Sequence, residues 1–170
     1  NNVKKRIKKY YRRESVVVYP AVEVGKIKNK NEEKNYYVCL SRLVKQKGID
    51  LAIKAFTELR LPLVVVGDGD ELRYLKKIAG PTIKFIGNCS DRKKIEILRG
   101  AKALIYTSKE EDFGIVPVEA MAAGVPVIAY NSGGVKETII EGITGLFYND
   151  FTVDSLTRAI NLFKNKFFKV

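Results

Sequence analysis

Three features of these 170 residues predict an α/β fold, a doubly wound, Rossmann-like parallel sheet of six strands. Short apolar, β-rich runs alternate with stretches of helical periodicity from Tyr36 onward, the pattern of successive βαβ units. Glycine turns follow several of these runs. One stretch, EEDFGIVPVEAMAAGVPVIAY (110–130), reads as loop, helix, turn and strand in unbroken succession. Such an order implies the strand sequence 3-2-1-4-5-6, with a ligand crevice outside the C-terminal ends of strands one and four.

Taken along the chain, residues 1–14 read as a basic helix linking from a preceding domain, and residues 15–170 as the domain itself. Ser15 to Tyr19 is a short β-branched run ended by Pro20, and Ala21 to Asn35 is a polar, irregular linker. Strands are expected at Tyr36–Leu40, Leu63–Val66, Ile83–Ile86, Ala103–Tyr106, Val127–Ala129 and Gly145–Tyr148. Helices are expected near Gly48–Leu59, Glu71–Ala79, Asp91–Arg99, Ile115–Ala123, Val135–Glu141 and from Thr152 to about Phe163. LAIKAFTEL and LRYLKKIA place apolar residues at helical spacing. Gly124 caps the helix after Gly114, and Pro126 precedes the next strand.

The switch point brings two loops together. Strand one runs into SRLVKQKG (41–48), and strand four into TSKEEDFG (107–114). Arg42, Lys47, Glu111 and the Phe113–Gly114 turn therefore border one cleft. A planar guanidinium and an ammonium on one loop suit a diphosphate. The helix expected from Ile115 adds unpaired backbone N–H groups and the positive end of its dipole. Glu119 lies in that helix's early turns, eight positions after Glu111.

Other segments carry weaker signals. VVVGDGDEL (64–72) is strand, glycine turn and helix, but lacks the third glycine of a dinucleotide fingerprint. Gly67 and Gly69 permit close backbone approach. Asp68 and Asp70 form a D-x-D, read as helix capping in preference to metal ligation. FIGNCSD (85–91) ends strand three in a turn with a Ser or Asp cap, or alternatively supplies a wall beside a planar base. The Gly133–Gly134 pair either admits a sugar or phosphate or makes a tight connection.

Composition narrows the chemistry. The chain has no histidine, which removes a histidine general base and histidine-ligated metal. Cys39 and Cys89 are far apart and read as two reduced thiols, which fits a cytoplasmic compartment. The net charge is +12, concentrated in Lys4, Lys5, Arg6, Lys8, Lys9, Arg12 and Arg13. That segment suits nucleic acid, an anionic membrane surface or a phosphate-bearing ligand, or is a solvated helix face. No nucleic-acid-binding motif accompanies it, and no apolar run is long enough to span a bilayer.

The linked motifs resemble the retaining glycosyltransferases of the GT-B fold, family four. Glu111-x₇-Glu119 within EDFGIVPVEAMAAGVPVIA resembles that family's signature. SRLVKQKG resembles its phosphate-binding loop, with Ser41 where glycine is more usual. VVVGDGDEL, FIGN and SGGVKETIIEGITGLF resemble further blocks, and VVVYPAVEV resembles the entry into its C-terminal domain. The wording of the 110–130 stretch is similar to mannosyltransferases of surface polysaccharide biosynthesis. The resemblance implies a nucleotide-sugar donor-binding domain. Arg42 and Lys47 would hold the donor diphosphate and Glu111 the sugar hydroxyls, these three forming the catalytic set. Backbone groups of Phe113, Gly114, Ile115 and Val116 would meet sugar and phosphate. Glu119 would hold the ribose, Gly67 would allow close approach, and Gly87, Asn88 and Cys89 would flank the base. GDP-mannose is the favoured donor, a glycan or lipid-linked molecule the acceptor, and the N-terminal half of the same enzyme the partner. No metal or other cofactor and no nucleic acid is implied, and the localisation expected is cytoplasmic, with peripheral membrane contact. Two alternatives stand beside this reading: a non-catalytic nucleotide-sugar binding module, and a basic nucleic-acid-binding protein, which carboxylates at the cleft disfavour.

Overall fold

The computed structural model describes residues 2–24, 27, 35–165, 168 and 170. Six parallel strands, β1 (Tyr36–Leu40), β2 (Leu63–Val66), β3 (Ile83–Gly87), β4 (Ala101–Tyr106), β5 (Val127–Tyr130) and β6 (Gly145–Tyr148), lie in the order β3-β2-β1-β4-β5-β6. This is the predicted doubly wound order. Helices α1 (Asn2–Tyr11), α2 (Ile49–Leu59), α3 (Leu72–Ile78), α4 (Asp91–Arg99), α5 (Ile115–Ala122) and α6 (Val153–Lys164) complete it.

Burial on both faces explains why the strands read as continuous apolar runs. Successive side chains point to opposite faces. Tyr37 and Cys39 of β1 enter the core beneath α2 and α6, whereas Val38 enters the core beneath α4 and α5. On β4, Ala103 and Ile105 take the first face, and Leu104 and Tyr106 the second. Phe56 of α2 is fully buried in the first core, its ring edge-on to Tyr37 at 5.1 Å between centroids.

Three expectations are corrected. The helix expected over Val135–Glu141 is a five-residue 3-10 turn, Gly133–Glu137. Its two leading glycines and the β-branched residues behind them give little helical propensity. The N-terminal helix stops at Tyr11, because Arg12 takes a left-handed conformation with φ 53°. Neither Asp68 nor Asp70 caps α3, whose N-cap is Glu71 with no side-chain hydrogen bond. Asp68 instead accepts from the N–H of Gly69 at 2.8 Å, tightening the turn itself. Ser90 does cap α4, accepting from Lys93 N. Of the expected linker Ala21–Asn35, residues 25, 26 and 28–34 lie outside the described residues.

The N-terminal segment lies against the loop after β4. Arg6 pairs with Asp112 at 3.5 Å. The Tyr19 ring stands 5.5 Å from that of Phe113, and its hydroxyl donates to Glu137 at 2.7 Å. Among the described residues no helix is long and apolar enough to cross a membrane.

Candidate donor-binding site

The loop after β1 is fixed from below before it presents any charge. Leu43 is fully buried. Its N–H donates to Asp68 O at 2.9 Å and its carbonyl accepts from Glu71 N at 3.0 Å, tying the loop to the turn after β2. The contact is close enough to require glycine at residue 67, where a Cβ would fall 1.9 Å from the carbonyl oxygen of Ser41. Gly67 N–H in turn donates to Gly87 O at 2.9 Å, so the ends of β1, β2 and β3 form one rim.

A short 3-10 turn, Lys45–Lys47, ends at Gly48 in the left-handed region with φ 60°. Thr107, buried at the end of β4, donates from Oγ1 to Lys47 O at 2.7 Å. That bond crosses the switch point and directs Lys47 towards the second loop. Its ammonium meets Glu111 Oε2 at 2.8 Å, and both side chains are mostly buried. Tyr106, the last residue of β4, donates its hydroxyl to the same oxygen. Burial favours the neutral form of Glu111, but the hydrogen bonds from Lys47 and Tyr106 and the charge of Lys47 outweigh it and hold its pKa below the ordinary carboxylate value. Glu111 therefore stands ionised and oriented. The Tyr106 phenol is driven the other way, by burial first and then by the adjacent carboxylate, so it stays protonated and a donor.

The Gly133–Gly134 pair serves this loop. Gly134 N–H donates to Glu111 O at 2.7 Å. A Cβ on Gly133 would lie 2.4 Å from Glu111 O, and one on Gly134 2.2 Å from Asp112 O. The pair therefore accommodates the backbone carrying Glu111. Gly114 then turns the chain with φ 87°, and α5 begins at Ile115.

The second glutamate sits at a different partner. Glu119 Oε1 accepts from Lys94 of α4 at 2.7 Å, and Lys94 also reaches Asp91 at 3.2 Å. Desolvation lowers the pKa of Lys94, but its bonds to Glu119 and Asp91 reverse that and leave it raised, so it remains charged. Beside this pair opens a pocket lined by Arg42, Gly67, Asn88, Cys89, Lys94 and Val116.

The predicted residues thus fall into two neighbouring groups at one sheet edge. Lys47 joins Glu111, and Arg42 joins Gly67, Asn88 and Cys89 near Glu119. Gly87 lies at the open rim, with nothing within 4 Å of where a Cβ would stand. The ring of Phe113 joins neither group and packs on Tyr19, while Ile115 is half exposed. Sequence reasoning missed Tyr106 and Lys94. Tyr106 ends an apolar strand and reads as core, and Lys94 is hidden among Arg92, Lys93 and Lys94. Both cysteines are free, and burial pushes the Cys39 thiol up to about 12. Among the described residues no three His, Cys, Asp or Glu side chains are grouped to hold a metal ion.

Residues 21–166 match the family model described as glycosyl transferases group 1. The chain belongs to this family. Among curated relatives, it is 36% identical over 145 residues to the GDP-mannose-dependent alpha-(1-6)-phosphatidylinositol monomannoside mannosyltransferase of Mycobacterium tuberculosis, covering 75% of this chain and 38% of that one. It is 31% identical over 162 residues to the alpha-1,3/1,6-mannosyltransferase of Mus musculus, covering 76% and 39%. The chain therefore spans less than half the length of these relatives. Among solved structures, Anabaena HepE in complex with UDP and glucose matches with a TM-score of 0.68 at 27% identity, over 76% of this chain and 38% of that one. A glycosyltransferase from Rickettsia africae matches with a TM-score of 0.83 at 23% identity, over 96% and 51%, and supports the GT-B fold.

Proposed function

We propose that this chain is the donor-binding half of a retaining hexosyltransferase, taking a nucleoside diphosphate sugar, with GDP-mannose favoured, and serving a glycan or lipid-linked acceptor. The observation that carries this reading is the meeting of Lys47 and Glu111 across the switch point at 2.8 Å, with Arg42 and Lys94, the partner of Glu119, lining the adjoining pocket. The names of the two mannosyltransferase relatives support mannose, and the GDP-mannose dependence of one supports guanine. The UDP in HepE leaves uracil as the competing base.

In this reading Arg42, Lys47 and the N-terminus of α5 take the diphosphate. As the bond from the anomeric carbon to the diphosphate oxygen breaks, negative charge grows on the leaving group. These cations and amides then bind the transition state more tightly than the ground state. The new bond forms to an acceptor hydroxyl, whose proton passes to the departing diphosphate oxygen. Glu111, already ionised and held by Tyr106, accepts hydrogen bonds from the sugar hydroxyls, and Glu119 accepts from the ribose. Protein cations do the electrostatic work in this scheme, so no metal is required. Positioning two substrates supplies much of the rate of such a reaction, and the acceptor site is assigned to the N-terminal half of the enzyme.

Calorimetry of this chain with GDP-mannose, UDP-glucose, GDP, UDP and guanosine tests the proposal. GDP-mannose is expected to bind most tightly, with guanosine weakest among the guanine ligands. Preference for UDP-glucose would move the donor assignment to uridine, and no binding by any nucleotide sugar would reject the site. This chain alone is expected to bind donor without transferring the sugar; efficient transfer to an acceptor extract would overturn the two-half reading.

A further inference from the structure

Lys94 differs from the cations beside it. On α4, Arg92 has a side-chain exposure of 92% and Lys93 of 57%, whereas Lys94 retains 21%. It lies on the side of the helix shared with Ile97 and Leu98, which are buried against α5 and the sheet. Withdrawing an ammonium this far from water is unfavourable unless it is paired. Its two carboxylate partners are unequal, since Asp91 is 93% exposed and Glu119 only 15%. The inner pair is therefore the sheltered one. It fixes Oε1 of Glu119, while among the described residues Oε2 accepts no hydrogen bond. Lys94 also lines the pocket that holds Arg42 and Asn88.

We propose that Lys94 is a positioning residue that gives the Glu119 subsite its selectivity for a ribose diol over a deoxyribose. By engaging Oε1 it sets the rotation of the carboxylate and leaves Oε2 to accept from a ribose hydroxyl. It also cancels a sheltered negative charge that would oppose a diphosphate ligand. The inference rests on the proposed assignment of Glu119 to the ribose. A carboxylate whose orientation is fixed discriminates against a missing hydroxyl, because its acceptor is then left desolvated and unpaired.

The experiment compares binding of GDP with 2′-deoxy- and 3′-deoxy-GDP by calorimetry, using the wild-type chain, Lys94→Met, Glu119→Gln, the double variant and Arg92→Met. Wild type is expected to favour GDP over at least one deoxy analogue by about ten- to a hundredfold, the range for one hydrogen bond to a charged group. Lys94→Met keeps the apolar stem and is expected to lose most of that ratio. Arg92→Met is expected to keep it. Because Lys94 acts through Glu119, the double variant should match Glu119→Gln alone, a strongly non-additive cycle. Retention of the wild-type ratio by Lys94→Met, with affinity reduced equally for GDP and its analogues, would overturn the inference while leaving the Glu119 assignment intact. Additive losses in the double variant would overturn it as well. A wild type indifferent to the deoxy change, with Glu119→Gln equally indifferent, would reject the ribose assignment itself. Should Lys94→Met fail to fold, Lys94→Gln provides the same comparison.

Discussion

Lys47 Nζ lies 2.8 Å from Glu111 Oε2, although 64 residues separate them in the chain. The cation assigned to the diphosphate is thus held by the carboxylate assigned to the sugar. Without a ligand, the pair satisfies two charges that would otherwise be costly at this depth. Donor phosphate can share the remaining ammonium hydrogens without breaking the pair, since an ammonium has three donors.

This contact separates the two cations of the loop experimentally. Lys47→Ala leaves Glu111 sheltered without its cation, so it is expected to lower both stability and diphosphate binding. Arg42 is exposed and has no carboxylate partner among the described residues, so Arg42→Ala should lower binding alone. Each change should weaken GDP binding by about ten- to a hundredfold while leaving guanosine nearly unchanged. Calorimetry and urea unfolding check the two halves of the prediction, and equal losses for GDP and guanosine would refute the phosphate roles.

Tyr106→Phe removes one donor from Glu111 with little change of shape. A hydrogen bond to a charged group is worth about 1.5–3 kcal/mol, the loss expected near neutral pH. The sign of the pH dependence follows from the depressed pKa of Glu111. Its stabilisation is fully present above the unfolded carboxylate value, roughly 4.3, and is lost as pH falls through the lower folded value. Removing the donor raises the folded value towards the unfolded one, so the acid loss still begins near the unfolded value but should be smaller and complete at a higher pH than in wild type. Urea unfolding at a series of acidic pH values measures this, and coincident acid limbs would contradict it.

Gly134→Ala tests the support beneath the Glu111 loop. Its Cβ would fall 2.2 Å from Asp112 O, and its backbone φ is not in the left-handed region. The cost therefore comes from overlap, about 1–3 kcal/mol by analogy with overpacked cores. The loop must move, so binding of a sugar-bearing donor should weaken more than binding of GDP. Unchanged stability would show that the loop yields freely.

Helix α1 has no buried residue and carries Lys4, Lys5, Arg6, Lys8 and Lys9. Contact with anionic lipid is proposed for it, each cation adding about 1 kcal/mol at most and screened by salt. Co-sedimentation with phosphatidylserine vesicles should rise with anionic lipid content and fall with salt. Insensitivity to both would retire the proposal.

The strand and helix order was set by local signals. Apolar runs of four to six residues between glycine turns can only be buried strands when helices of matching length separate them, and right-handed crossovers leave few sheet orders open. That order alone placed Arg42, Lys47, Glu111 and the Phe113–Gly114 turn at one edge. The tertiary structure decided which partner each charge takes. Lys47 meets Glu111 across 64 residues and Lys94 meets Glu119 across 25. Such pairings depend on the register of β1 with β4 and on how α4 lies beside α5, and neither leaves a trace in residue spacing. The same holds for Gly134, whose need for glycine comes from the backbone of Asp112, far off in the sequence, and in part for Gly133, which meets Glu111 O but also takes a φ of 69° in its own turn. Lys94 was illegible for a related reason: three basic residues in a row look alike until packing buries one of them.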